Sequence, residues 1–201
     1  NGARVILAED KPRFGGSLLT DDVNIGNQNG KEWTDKIISE LKAMPNVIVK
    51  NRSQVFGYYD HNMLVMSERI SDHLPKTKKY SPKQRLWYIR AKEVIISSGS
   101  IERPLVFGNN DTPGVMLSSA AKEYLKVYGV LVGKNPLVFT NNDSGYATAI
   151  EFKKNGISPI VLDTRKNPSS EIINEAKNLN IDIKFSHVVV AAKGYKKVKS
   201  A

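Results

Sequence analysis

Two acidic positions, each directly after a short apolar run, are the residues best suited to binding chemistry in this chain. Glu9 and Asp10 follow Val5-Ile6-Leu7-Ala8, and Asp163 follows Ile160-Val161-Leu162. In a dinucleotide-binding βαβ unit, the second strand ends in an acid whose carboxylate accepts hydrogen bonds from an adenosine ribose. The sequence therefore predicts two candidate nucleotide-binding units.

The first unit can be judged only at its acid and at the turn that follows. A Gly-rich phosphate loop is expected about 20 residues before such an acid, whereas Glu9 has eight residues before it. We therefore expect the chain to be a fragment that lacks this loop. Gly15 and Gly16 either bring the backbone close to a ligand or form a turn, and Ser17 offers a hydroxyl. The alternative is that Glu9, Asp10 and Lys11 are solvated turn residues.

The second unit keeps its acid but has an altered phosphate loop. On the G-x-G-x-x-G pattern, Thr140 and Asn142 replace the first two glycines and only Gly145 remains. Those two glycines allow a tight turn and close approach to a pyrophosphate. Asp143 adds negative charge where a phosphate would bind. Although Asp163 has the expected spacing, this pattern favours a βαβ fold without a dinucleotide.

The elements that would position these residues follow an α/β pattern. A crossover at 101–114 separates a first nucleotide-binding domain, 1–106, without its N-terminal strand and phosphate loop, from a second, degenerate Rossmann-like domain, 107–201. Hydrophobic spacing predicts four helices: 31–44, 118–127 (capped by Ser118 or Ser119), 142–154 and 170–179. Apolar runs predict strands at 4–8, 47–49, 55–59, 63–66, 86–90, 93–97, 137–139, 159–162, 181–185 and 188–191.

Composition excludes several classes of function. The chain has no Cys, which excludes a disulfide framework or thiolate chemistry and is compatible with a reducing cytoplasm. Its net charge of +10 comes from scattered Lys and Arg; a solvated surface explains this better than an acidic partner, and nucleic acid is not expected. The three His lie far apart in sequence, so no metal site is expected. No apolar run is long enough for a membrane span.

Several longer segments resemble the alpha subunits of heterotetrameric sarcosine oxidases. The resemblance extends over nearly the whole chain, and its most specific part runs from Glu-Arg-Pro-Leu-Val-Phe to Pro-Gly-Val-Met. It implies a two-dinucleotide-binding-domain flavoprotein fold, as in disulfide reductases, here truncated at both ends. The segments that carry it are 14–19, 55–62, 84–87, 98–107, 109–116 and 139–144.

The resemblance also implies a non-covalent NAD site in the first domain. Glu9 and Asp10 would bind the adenosine ribose, Lys11 the adenine side or a phosphate, and Val55 the adenine. Ser17 would follow the Gly15-Gly16 turn. Lys11 stands where the family pattern has Arg, and Ser17 where it has Thr. No catalytic residue is implied within this chain.

In the full complex, the resemblance implies flavin (FAD or FMN) at the alpha–beta interface and in a partner subunit, together with beta, gamma and delta-type partner subunits. The implied reaction demethylates sarcosine to glycine, forms hydrogen peroxide and transfers the one-carbon unit to tetrahydrofolate. The fragment alone is expected to be inactive, and the complex to be cytoplasmic. Two alternatives remain open: a related FAD- or NAD-dependent amine, opine or proline dehydrogenase subunit, and a basic docking module with a vestigial nucleotide site.

Overall fold

A computed structural model describes residues 2–76 and 79–201, and the chain divides into two compact units, Asn1–Ser98 and Gly99–Ala201. This division lies before the 106/107 boundary that the sequence suggests. In the segment after Gly99, Glu102 contacts the start of a helix of the second unit. Its two carboxylate oxygens accept hydrogen bonds from the amides of Ser118 (3.3 Å) and Ser119 (2.7 Å).

The first unit begins with a parallel strand pair joined through a helix. The strands Val5–Ala8 and Val47–Lys50 run parallel, with Val5 opposite Val47. The helix is amphipathic, as its spacing predicts, and it starts where the Asn29 side chain accepts a hydrogen bond from the amide of Lys31 at 3.0 Å. The elements are β1 (Val5–Ala8), β2 (Asn24–Ile25), β3 (Gln28–Asn29), α1 (Gly30–Ala43) and β4 (Val47–Lys50).

An antiparallel sheet completes the first unit. Its strands are β5 (Ser53–Tyr59), β6 (Met63–Arg69) and β7 (Gln84–Arg90), with β6 in the centre. Val65 and Met66 of the central strand are buried. The predicted strands at 55–59, 63–66 and 86–90 are therefore confirmed, each somewhat longer than its apolar run.

The predicted strand at 93–97 is wrong. This segment is assigned to no helix or strand, and Ile95 and Ile96 are 87% and 73% exposed. Apolar β-branched residues favour a strand, but a strand also needs a hydrogen-bonded neighbour. Among the described residues, no ladder is assigned to this segment, and β7 pairs with β6.

The second unit has the alternating pattern of a parallel α/β domain. Three parallel strands lie side by side with Ile160–Asp163 in the centre, so the predicted strand–helix–strand arrangement is confirmed. A short antiparallel strand pair follows near the C-terminal end. The elements are α2 (Ser118–Tyr128), β8 (Leu137–Thr140), α3 (Ser144–Lys154), β9 (Ile160–Asp163), α4 (Glu171–Asn178), β10 (Asp182–Phe185), β11 (Lys193–Gly194) and β12 (Val198–Ser200).

The core of the second unit forms around α3. Tyr146, Ala149, Val161 and Ile173 are completely inaccessible to solvent and pack in one cluster. Burial on nearly all sides explains why α3 lacks the polar face of a surface helix.

Two details of the second unit differ from the sequence prediction. The stretch 188–191 forms only an isolated bridge between Ala191 and Gly108, and Val188 and Val190 are exposed. Helix α2 is not capped by a serine side chain: its cap residue is Leu117, and the distant Glu102 carboxylate accepts the amide hydrogens instead. Such a long-range cap has no signal in local sequence.

Candidate functional site

Glu9 lies at the carboxyl end of β1, where the backbone is fixed on both sides. Its amide donates to the Lys50 carbonyl at 2.9 Å, and its carbonyl accepts from the Ser53 amide at 2.8 Å. Lys50 ends β4 and Ser53 begins β5. The acid is thus held where β1, β4 and β5 come together, the edge at which open α/β sheets bind ligands.

The Glu9 carboxylate is half-buried and turned toward the residues that follow it. Its Oε1 accepts a hydrogen bond from the backbone amide of Lys11 at 3.0 Å. Partial burial raises the pKa of Glu9; the adjacent Asp10 carboxylate adds to the increase, and the Lys11 amide and charge oppose it. Two neighbouring carboxylates and a basic residue therefore lie at one strand end.

The loop after Glu9 is tied to the loop between β4 and β5. The Lys11 carbonyl accepts from the Arg52 amide at 3.0 Å, and the Pro12 carbonyl accepts from Asn51 Nδ2 at 2.7 Å. Arg52 adopts a positive φ of 51° to make this connection. The backbone of Lys11 and Pro12 is thus held by the loop between β4 and β5.

Val55 extends this surface along β5. It comes two residues after Ser53, on the same face of the strand, and its side chain is 42% exposed. A bulge separates it from Gly57. An accessible apolar residue near a strand-end acid offers contact area for a flat aromatic ring.

The Gly15–Ser17 turn packs against helix α1. Gly15 has φ 125°, and a Cβ there would lie 3.2 Å from Thr34 Cγ2 of α1. Gly16 has φ 52° with open space beside it, and Ser17 is exposed. Gly15 is thus required for packing as well as for the turn, and Gly16 only for the turn.

The second acid, Asp163, ends β9 and is completely buried. Arg165 holds its carboxylate through Nε (3.1 Å to Oδ1) and Nη2 (2.8 Å to Oδ2). The Tyr146 hydroxyl donates to Oδ2 at 2.7 Å. The sequence interpretation did not identify Arg165 or Tyr146; the signals available were an arginine two residues after a strand-end acid and a tyrosine next to the retained Gly145.

The pKa of Asp163 reflects these partners. Burial acts to raise it, but hydrogen bonds from Arg165 and Tyr146 outweigh burial and hold the pKa below the usual value. The pKa values of Tyr146 and Arg165 are raised, the first mainly by burial and the second mainly by the hydrogen bond to Asp163. Asp163 is therefore an anion at neutral pH.

Metal-binding clusters and membrane spans are both absent from the described ranges 2–76 and 79–201. No three His, Asp or Glu side chains are grouped there as a metal ion would require. Within the same ranges, no helix combines the length and apolar character of a membrane span.

Comparisons with curated proteins find sarcosine oxidase alpha subunits. The chain is 41% identical over 165 residues to the sarcosine oxidase alpha subunit of Rhizobium meliloti, covering 82% of this chain and 17% of that protein. It is 36% identical over 193 residues to that of Corynebacterium sp. strain P-1, covering 94% and 20%. A weaker match, 24% over 181 residues, is an opine oxidase subunit of Agrobacterium tumefaciens, covering 84% and 33%. The chain thus spans about a fifth of the length of the sarcosine oxidase relatives.

No protein-family model matches the chain. Among solved structures, it superposes on L-proline dehydrogenase from P. horikoshii with a TM-score of 0.59 at 19% identity, covering 96% of this chain and 32% of that one. Thioredoxin reductase from T. acidophilum gives 0.62 at 14% identity, covering 97% and 68%. The chain is therefore a homologue of one segment of the sarcosine oxidase alpha subunits, with the fold of two-dinucleotide-domain FAD- and NAD(P)-dependent oxidoreductases.

Proposed function

We propose that the first unit supplies the ribose- and adenine-binding half of a non-covalent NAD site in an oxidoreductase subunit. The observation that carries this proposal is the half-buried Glu9 carboxylate at the joint carboxyl ends of β1 and β4, held by the Lys11 amide at 3.0 Å. A carboxylate is a strong acceptor for the two hydroxyls of a ribose.

The residues present fit an adenosine group. Glu9 and Asp10 would accept hydrogen bonds from the ribose hydroxyls, and the exposed Val55 would lie against the adenine ring. Negative charge at this position disfavours a 2′-phosphate, which selects NAD over NADP. Lys11 would contact the adenine side or a phosphate.

Gly15, Gly16 and Ser17 would form the second wall of this site. The exposed Gly16 has open space beside it, so the backbone there is accessible to a ligand. The exposed Ser17 hydroxyl offers a donor in the next position. These three residues are assigned by resemblance, and their support is the accessible turn they form.

The activity of the whole protein is part of the same proposal. We infer that it is a sarcosine oxidase-like complex with beta, gamma and delta-type partners and with flavin in a partner subunit. The 36–41% identity to alpha subunits supports this assignment over the alternatives. Since Glu9 and its neighbours only bind, sarcosine demethylation and one-carbon transfer to tetrahydrofolate would require other parts of the complex, and this segment alone would be inactive.

A related amine, opine or proline dehydrogenase is the second candidate. It is favoured by the superposition on L-proline dehydrogenase and by the match to an opine oxidase. Turnover of the purified complex with sarcosine, an opine and L-proline as separate substrates distinguishes the two: the proposal expects sarcosine to be preferred.

The cofactor assignment is tested by denaturing the full-length protein and identifying the released nucleotides by mass spectrometry. We expect close to one NAD per full-length chain, and a large loss in Glu9→Gln. Glu40→Gln, which removes an exposed carboxylate on α1, is the matched control and should retain NAD. Release of no NAD or FAD from the folded wild-type protein would instead support the docking-module alternative.

A further inference from the structure

The second unit presents the same kind of strand-end edge as the first, but Asn142 and Asp163 there are already hydrogen-bonded to neighbouring residues. In an open parallel sheet, a dinucleotide places its phosphates at the N-terminus of the helix after the first strand. Its ribose meets the acid after the second strand. Here these positions are the start of α3, after β8, and Asp163, at the end of β9.

At the phosphate position, three backbone amides have internal acceptors. Asn142 Oδ1 accepts from the Ser144 amide at 2.9 Å and from the Ser144 hydroxyl at 2.6 Å. The Asn142 amide donates to Thr140 Oγ1 at 3.2 Å, and the Tyr146 amide to the Asp143 carbonyl at 3.1 Å. The carboxamide oxygen of Asn142 therefore accepts hydrogen bonds that a phosphate oxygen would otherwise accept.

At the ribose position, the Asp163 carboxylate has no acceptor capacity left. Oδ1 accepts from the backbone amide (2.9 Å) and Nε (3.1 Å) of Arg165. Oδ2 accepts from Nη2 of Arg165 (2.8 Å) and the Tyr146 hydroxyl (2.7 Å). A carboxylate offers about four lone-pair sites, and all four are used.

The Arg165 side chain also links the loop before α3 to the loop after β9. Nη2 of Arg165 lies 2.8 Å from Asp143 Oδ1 as well as 2.8 Å from Asp163 Oδ2. Asp143 precedes α3, and Arg165 follows β9, so this ion pair crosses the edge between neighbouring strands along which a dinucleotide would lie.

We propose that the second unit is a dinucleotide-binding fold closed from within, in which Asn142 replaces a phosphate and Arg165 replaces a ribose. Asn142 and Arg165 are specificity-determining residues in this account, because they exclude a nucleotide. Opening the site requires removing both, since each blocks a different part of the ligand. The opened site would bind a nicotinamide dinucleotide with a free 2′-hydroxyl. Without Arg165, the Asp163 carboxylate would be available to that hydroxyl.

The test uses full-length protein carrying Glu9→Ala, so that binding at the first unit is weakened, with NADH as the probe. Titration followed by nicotinamide fluorescence should show only the weakened site of the first unit in this background. Adding Asn142→Gly and Arg165→Ala together should create a second saturable site. Its affinity for NADH should be at least about tenfold higher than that of the weakened first-unit site, the effect of roughly one charge-assisted hydrogen bond. Lys166→Ala, which removes the neighbouring exposed cation, should create none.

Two results would overturn the proposal. One is saturable NADH binding in the Glu9→Ala background that Arg165→Lys weakens. The other is an opened variant, carrying Asn142→Gly and Arg165→Ala, that folds with unchanged circular dichroism but gains no NADH binding.

A second measurement does not use the opened variant, so it still tests the proposal if that variant does not fold. In the wild-type protein, saturating NADH should leave the NMR signals of the Asp163 carboxylate and the Arg165 Nε–H group unchanged, and a shift of either would contradict closure. Failure of the NAD site proposed for the first unit is seen separately, as absence of NAD among the nucleotides released from the denatured wild-type protein.

Discussion

Gly145 and Thr140 lie so close together that a Cβ on Gly145 would be 2.8 Å from both Cβ and Oγ1 of Thr140. The first turn of α3 is thus pressed against the last residue of β8. This explains why the third glycine of the phosphate-loop pattern is retained where the first two are not: its role is helix–strand packing.

Gly145→Ala is therefore expected to destabilise the second unit by about 1–3 kcal/mol, as overpacking does in a well-packed region. Chemical denaturation followed by circular dichroism measures the change. Gly133→Ala, at a glycine with nothing within 4 Å of the added Cβ, is the control and should change stability by less than about 0.5 kcal/mol. Equal effects of the two substitutions would show that the close contact does not matter.

The Asp163–Arg165 pair makes stability depend on both partners. Arg165→Ala leaves a completely buried carboxylate without its cation, which typically costs about 3–5 kcal/mol. Lys166→Ala should be close to neutral, because that side chain is exposed. Denaturant midpoints of the two variants, compared with wild type, test this; a small effect of Arg165→Ala would mean that Tyr146 and water are sufficient partners.

Acid should weaken the same network. The pKa values of Asp163 and Asp143 are lowered in the folded protein, so their contribution is present above the ordinary Asp value of ~3.9 and is lost as pH falls through the lower folded values. The stability difference between wild type and Arg165→Ala should therefore be largest at neutral pH and decrease in acid. Unfolding measured across a pH series tests the sign, and a difference that grows in acid would contradict it.

In the first unit, the two adjacent glycines should differ in their tolerance of a side chain. Gly16→Ala meets only the backbone strain of φ 52°, roughly 1–2 kcal/mol. Gly15→Ala adds contacts with Leu19 and Thr34 at 3.1–3.2 Å, so it should destabilise more. Thermal unfolding ranks them; the reverse order would mean that the turn does not rest on α1 as described.

Binding of NAD to the first unit should depend on pH through Glu9. Protonation removes the acceptor, and the pKa of this carboxyl is raised, chiefly by partial burial. Affinity should therefore be constant near neutral pH and begin to fall, as pH decreases, above the value of ~4.3 that an ordinary glutamate would give. Isothermal titration at several pH values measures it, and Glu9→Gln should remove the dependence.

Much of this arrangement is readable from sequence, because it depends on local patterns. Apolar runs followed by Glu9 and Asp163 predict strand ends, and hydrophobic spacing predicts α1 and α3. The substituted glycines at Thr140 and Asn142 indicate that the second unit is degenerate.

What the sequence does not reveal depends on contacts made in three dimensions. Asp163 has the right spacing for ribose, yet its acceptors are taken by Tyr146 from another element. Glu102 caps a helix 16 residues away. The apolar segment 93–97 fails as a strand because pairing, not composition, makes one.

In the proposed NAD site, Glu9 and not Asp163 binds the nucleotide. The NAD affinity of two isosteric variants of the full-length protein tests this most directly. We predict that Glu9→Gln weakens NAD binding by roughly 10- to 100-fold, the worth of one or two hydrogen bonds to a charged group. Asp163→Asn, which keeps an oxygen for Tyr146 and Arg165, should leave the affinity unchanged. Equal weakening by both variants, or weakening by Asp163→Asn alone with the fold intact, would contradict the account.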